Sequence, residues 1–446
     1  MDDENNPKRR HRAIPSSRAA RLGAFGRLAG GVASGMLGEG ARRLARGERP
    51  RMRDLVLTPG NVGRLADRLS HLRGAAMKLG QMISMDAGDL LPPELAAILA
   101  QLRSQAHRMP PEQLRRVLDS EWGPDWRRRF SRFNATPIAA ASIGQVHRAT
   151  LPDGRELAIK VQYPGVRESI DSDVDNVATL LRVSGVLPRE LDLAPLLTEA
   201  KRQLHEEADY EREAAQMTRF ADWLDGHTDY VVPRPLPELT TARVLAMDFI
   251  DGIPIEALAD APQEQRDAAM RDLMALVLRE MFEFGAMQTD PNFANYRFQL
   301  DAGRLVLLDF GAARDVDPAT AQGYRSLLSA GLSGDRDAVR EAARAAGFLG
   351  EAAVARHRPL VDRMIDIVVT EMSRPGPFDF GDRGFVEVLR EQGMEMAADR
   401  STWHIPPVET LFVQRKVSGT ALLAARLEAR VDVRELVRPY LEEGAG

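Results

Sequence analysis

Lys160 lies in the apolar run Leu157-Ala158-Ile159-Lys160-Val161. Far downstream stand Asp290-Pro291-Asn292-Phe293-Ala294-Asn295 and then Asp309-Phe310-Gly311. A strand-borne ammonium, an Asp-x-x-x-x-Asn segment and a second Asp before Phe-Gly are, in that order, the parts that phosphoryl transfer needs. The ammonium neutralises the α- and β-phosphates of ATP. Asp290 orients the attacking acceptor. Asn295 and Asp309 offer hard oxygen ligands to Mg2+. Catalytic roles are therefore expected of Asp290 and Lys160, and metal ligation of Asn295 and Asp309. A lone lysine in such a strand reads as snorkelling to the edge, and a lone Asp-Phe-Gly as a turn. It is the ordered set that points to chemistry.

The elements that must carry these groups follow the plan of a protein kinase. Residues 143–149 and 156–161 alternate as strands, joined at the turn Asp153-Gly154. Just before them, Ala139-Ala140-Ala141-Ser142-Ile143-Gly144-Gln145-Val146 stands where a kinase has its glycine loop. Gly144 and Val146 keep their places, while Ala139 and Ala141 replace the first two glycines. Alanine restricts positive φ and close backbone approach, so ATP contact by Ala139, Ala140, Ala141, Ser142 and Gly144 is expected in altered form. Residues 171–224 read as helical and acidic. On a helix at 206–220, Glu213 is the expected partner of Lys160. Glu207 and Asp209 precede it and could hold a metal, divert Lys160, or form a solvated acidic face. Residues 231–232 and 243–250 read as strands. The backbone around Met247 to Ile250 is the expected adenine contact, with a core strand end as the plainer alternative. Beyond, the chain reads as helical apart from a hairpin at 298–310. His-Arg, usual before the catalytic Asp, is replaced by Gln288-Thr289, which can order the loop by hydrogen bonds. No Ala-Pro-Glu segment follows Asp309, which argues against a peptide substrate.

Composition is compatible with this plan. The 446 residues are 44% hydrophobic and 28% charged, as in a soluble globular protein. Absence of cysteine excludes disulfides, thiolate catalysis and thiolate metal sites. The net charge of −5 is uneven: residues 1–53 hold 13 Lys and Arg against 5 Asp and Glu, or +8, leaving −13 for the remainder. A basic arm suits an anionic membrane surface or is simply solvated; no recognition module accompanies it, so nucleic acid is not expected. Residues 22–44 are rich in Gly and Ala at helical spacing and suit a surface-lying amphipathic helix better than a span. No run of about 18 apolar residues is present. The beginning, Met-Asp-Asp-Glu, is unlike a secretory signal, and the expected location is cytoplasmic, peripheral at the inner membrane face.

Several motifs together resemble the UbiB-like, or aarF-domain-containing, atypical kinases. Lys78-Leu79-Gly80-Gln81 resembles that family's KxGQ motif, Ala139–Ser142 its alanine-rich loop, and Glu207-Ala208-Asp209 its ExD motif. Gln288 to Asn295 resembles the catalytic loop of the mitochondrial ubiquinone-biosynthesis branch. The resemblance runs from about Gly38 to the C-terminus. It implies an α+β, bilobal protein-kinase-like fold with an N-terminal helical extension laid across the active site. It also implies ATP and magnesium binding, and ATPase activity supporting coenzyme Q biosynthesis. Quinone-like lipid and other quinone-biosynthesis enzymes are the implied partners. Lys78 and Gln81, on one helix face, would enter the nucleotide site as regulatory residues and block a protein acceptor. The expected organisation is a basic arm at 1–53, a KxGQ extension at 54–128, an N-lobe at 129–250 and a helical C-lobe at 251–446. Two other readings stand beside the ATPase: an ATP-dependent lipid-binding module without useful turnover, and a small-molecule kinase.

Overall fold

The structure, a computed structural model, describes residues 109–183, 194–382, 384–397, 399 and 407–442. The basic arm, the small-residue helix and the KxGQ residues Lys78 and Gln81 lie outside these. The chain divides into two compact units. Among the described residues, one contains those up to 215 together with 234–249, and the other those of 216–233 and from 250 onward.

In the first unit, helix α1 (Pro111–Trp122) begins with proline at its first turn, where a missing N–H does no harm. Strands β1 (Arg132–Phe133), β2 (Ala139–Ala140), β3 (Gly144–Thr150) and β4 (Glu156–Gln162) follow. Helices α2 (Ile170–Val183), α3 (Ala194–Glu207) and α4 (Tyr210–Trp223) come next, and the boundary between units falls within α4. The second unit contributes β5 (Tyr230–Val231), and the chain returns to the first for β6 (Val244–Asp248). The first unit's sheet runs β1-β3-β4-β6, with β2 also on β3, and its ladders are antiparallel. Gly154, at φ +90°, closes the β3–β4 hairpin in a conformation that side chains resist. Leu157, Ile159 and Val161 alternate onto one face of β4 and pack with Trp122, Trp126 and Phe130. The Trp122 indole donates to the Leu239 carbonyl at 2.9 Å, which satisfies its polar end.

The second unit continues with β7 (Ile253–Pro254), α5 (Gln263–Phe282), β8 (Ala286–Gln288), β9 (Tyr296–Gln299), β10 (Arg304–Leu307) and β11 (Ala313–Asp315). Helices α6 (Pro318–Ser333), α7 (Arg336–Ala345) and α8 (Glu351–Ser373) follow. The rest is β12 (Phe378–Asp379), α9 (Gly384–Ala397), α10 (Val408–Arg426), β13 (Arg430–Val431) and α11 (Val433–Glu442). One sheet runs β5-β10-β9-β7, and two-stranded pairs join β8 to β11 and β12 to β13.

Three expectations are corrected. The helix expected at 206–220 is two helices, broken at Ala208-Asp209. Asp209 is the cap of α4: its carboxylate accepts the Arg212 N–H at 3.0 Å and its carbonyl accepts the Glu213 N–H at 3.0 Å. Asp competes with helix interiors in this way and favours their starts. The helical reading beyond residue 250 missed β7, β8, β11, β12 and β13, each two or three residues long and too short for a two-residue alternation to register. The expected hairpin begins at Tyr296, earlier than residue 298.

Candidate functional site

The pleat of β4 decides what Lys160 meets. With Leu157, Ile159 and Val161 in the core, Ala158, Lys160 and Gln162 project from the opposite face. On that face Lys160 Nζ donates to both Glu213 oxygens, at 2.7 and 2.9 Å. The lysine side chain is 9% exposed and the glutamate 0%. Gln162 Nε2 donates to the Ala208 carbonyl at 3.1 Å, satisfying a helix-end acceptor at the break between α3 and α4. Two successive outward positions of β4 thus hold one junction, and Asp209 starts the helix that delivers Glu213. Tyr210 lies beneath, its ring centroid 5.2 Å from Lys160 Nζ.

The alanine loop is a tight hairpin. Ala139 pairs with Val146 and Ala140 with Gln145, and the Ala141 N–H donates to the Gly144 carbonyl at 2.9 Å. Ala139, Ala140 and Ser142 are exposed. Ser142 Oγ donates to Glu207 Oε2 at 2.9 Å, so the ExD carboxylate anchors the loop tip. Gly144 is required sterically: a Cβ there would lie 2.5 Å from the Val161 carbonyl oxygen and 2.8 Å from the Tyr210 hydroxyl. Behind the loop His147 is fully buried. Its Nδ1 donates to the Asn134 carbonyl and its Nε2 accepts from Gln145 Nε2, both at 2.8 Å. Burial, partly offset by the Asn134 hydrogen bond, pushes this imidazole down to about 4, so it stays neutral.

At the expected adenine contact, Met247 is buried within β6, paired with Ala158 of β4. The Asp248 N–H already donates to the Arg234 carbonyl, and the Phe249 N–H to Glu156.

In the second unit, β8 leads into Asp290 and β11 follows Asp309. Their antiparallel pairing, Gln288 opposite Ala313, brings the two segments together. Thr289 closes the junction, its N–H and hydroxyl both donating to the Ala312 carbonyl at 3.3 and 2.8 Å. Asn295 Nδ2 lies 3.4 Å from Asp290 Oδ2, and the Asn295 carbonyl accepts the Leu308 N–H at 3.0 Å, next to Asp309. Asp309 Oδ1 accepts the Gly311 N–H, while Phe310 is buried against Phe220 with centroids 4.9 Å apart. After Asp309 only β11 and a short turn precede α6, which Asp317 caps on the Thr320 N–H. No segment for presenting a peptide intervenes.

Among the described residues, no group of three His, Asp or Glu stands together to hold a metal. Asn295 and Asp309, in the segments that the pairing of β8 with β11 brings together, carry hard oxygen donors. That set fits magnesium, which takes one or two protein oxygens and completes its octahedron with phosphates and water.

Sequence reasoning missed the residues behind the loop. Arg415 and Lys416, on α10, are 7% and 1% exposed. Arg415 Nη2 lies 3.4 Å from Asp290 Oδ1. Lys416 Nζ donates to the Tyr296 hydroxyl at 2.8 Å and to Gln288 Oε1 at 3.3 Å, and it lies 3.4 Å from Glu280 Oε2. Burial works against charge on Lys416, but Glu280 and Tyr296 outweigh it and raise its pKa; burial also pushes Glu280 up, with Lys416 opposing. A signal existed. Neither cation has an acidic residue three or four positions away on its helix, which leaves both free to pair with another element.

Residues 101–343 match the ABC1 atypical kinase-like domain. The chain is 36% identical over 97% of its length to the mitochondrial atypical kinase COQ8B of Danio rerio, spanning 69% of that protein. It is 35% identical over 98% of its length to the mitochondrial atypical kinase COQ8 of Saccharomyces cerevisiae, spanning 89% of it. Among solved structures it resembles Rv3197 of Mycobacterium tuberculosis, in complex with erythromycin. The TM-score is 0.60 at 27% identity, over 84% of this chain and 94% of that one.

Proposed function

The chain belongs to the ABC1 atypical kinase-like family, and from that premise we propose that it binds Mg-ATP, hydrolyses it, and supports coenzyme Q biosynthesis at a membrane surface. The observation that carries the enzymatic reading is the Asp290 cluster: a carboxylate held on one oxygen by Asn295 and on the other by a buried arginine. Asp290 orients the attacking water or hydroxyl and accepts its proton. Lys160, aimed by Glu213, receives the α- and β-phosphates. Asn295 and Asp309 would hold magnesium, which would offset the negative charge of the phosphates. Ala139, Ala140 and Ser142 cover the nucleotide, with Glu207 fixing the loop tip. Met247 and Ile250 flank the adenine, and Lys78 and Gln81 restrict access by a protein acceptor. The quinone part rests on the motif resemblance and on the COQ8 relatives. For the membrane part, the support is the +8 arm.

One observation favours a binding module without useful turnover: the Ala141 N–H is engaged by Gly144 rather than open to a phosphate. ATP turnover measured with and without anionic and quinone-bearing liposomes separates the two. The enzyme reading predicts phosphate release that rises with liposomes. Mg-ATP binding without release at any lipid composition would leave the binding module.

A further inference from the structure

We infer that α10 is the brace of the catalytic loop and that Arg415 is the positioning residue for Asp290, in the place left by the missing His-Arg pair. The inference rests on the reading of Asp290 as the acceptor-orienting group. Gln288 and Thr289 carry no charge, so nothing in the residues before Asp290 can fix its carboxylate electrostatically. The fixing comes instead from a helix more than a hundred residues downstream in the chain.

Four contacts on one stretch of α10 define it. Phe412 lies under the Arg314 guanidinium of β11, 4.2 Å from carbon to ring centroid. Arg415 reaches Asp290 Oδ1. Lys416 ties Gln288 and Tyr296, on either side of the loop, to Glu280 of α5. Gly419 lets the helix approach the Pro291 ring: a Cβ there would lie 2.1 Å from Pro291 Cβ. Positions 412, 415, 416 and 419 repeat at helical spacing, so a single face makes all four contacts.

The division of labour follows from the partners. Lys416 holds side chains that flank the loop, and Gly419 makes room for Pro291 within it. Arg415 alone of these touches the reacting carboxylate. Its planar guanidinium suits a carboxylate better than a point charge would. With Asn295 on Oδ2 and Arg415 on Oδ1, the Asp290 carboxylate is fixed in rotation, and one orientation of its remaining lone pairs is presented to the acceptor. Preorganisation of that kind acts on the chemical step and not on nucleotide affinity.

The test is a double-mutant cycle on the full chain, reading kcat and KM for Mg-ATP. Arg415→Gln should lower kcat about tenfold or more with KM for Mg-ATP within about twofold, and Arg415→Lys should recover part of the loss. In an Asp290→Asn background Arg415→Gln should have no further effect, because the group it positions is gone. Equal fractional losses in both backgrounds, or a loss carried by KM, would overturn the inference. If Arg415→Gln does not fold, Arg415→Lys is carried through the same cycle with the same criteria. Unchanged turnover in Asp290→Asn alone would instead remove the catalytic reading on which the inference stands. Loss in Asp290→Asn with wild-type kcat in both Arg415 variants would remove the inference only.

Discussion

Replacing Glu213 by alanine isolates the buried charge of Lys160. Lys160 would keep its place on β4, with a side chain 9% exposed, but lose both hydrogen bonds to the carboxylate. An exposed pair would cost at most about 1 kcal/mol to break. Stranding one partner of a buried pair costs about 3–5 kcal/mol, because the remaining ion has lost its compensation. The predicted loss for Glu213→Ala is therefore about 3–5 kcal/mol in the first unit. Replacing both partners, as Lys160→Met with Glu213→Leu, removes the stranded charge and should return stability to within about 1 kcal/mol of wild type. The assay is hydrogen exchange of β3 and β4 amides against urea, which reports opening of that unit and not of the other. Both proteins should bind Mg-ATP weakly, so the double variant would be a folded protein without nucleotide affinity. A Glu213→Ala cost below about 1 kcal/mol, or a double variant worse than the single one, would refute the reasoning.

Two further outcomes are expected. His147 has a folded pKa of about 4 against about 6.5 unfolded, so its neutral form stabilises the first unit fully above pH 6.5. That contribution is lost as pH falls toward 4. The fall from 6.5 to about 4, at about 1.4 kcal/mol per pH unit, amounts to about 3.5 kcal/mol. The stability difference between wild type and His147→Gln should narrow by that amount between pH 6.5 and 4, and a parallel pH dependence would count against it. Asp309→Asn should weaken the thermal stabilisation given by Mg-ATP, and unchanged stabilisation would refute the magnesium assignment.

The sequence disclosed groups whose identity is tied to local pattern. Lys160 could be placed on a strand because the run Leu157 to Val161 around it is apolar, and Glu213 could be named as its partner on the helical segment that follows. The hairpin at Asp153-Gly154 announces itself by turn chemistry. What stayed hidden depends on contacts remote in the chain. The two-residue break at Ala208-Asp209 reflects competition between one carboxylate and the helix, together with an acceptor taken by Gln162. The short strands flanking Asp290 and Asp309 have no periodicity to read, and exist because they pair with each other. Arg415 and Lys416 sit in an apolar helix without local partners, and only folding shows that their partners lie on the catalytic loop.

The central claim is that Asp290 carries out turnover. It is tested most directly by steady-state Mg-ATP hydrolysis in Asp290→Asn, with nucleotide affinity measured in the same preparation. The shape is preserved and the proton acceptor is lost, so ATP binding should persist while turnover falls by about 10²–10⁴-fold. Wild-type turnover in a folded Asp290→Asn protein would contradict it.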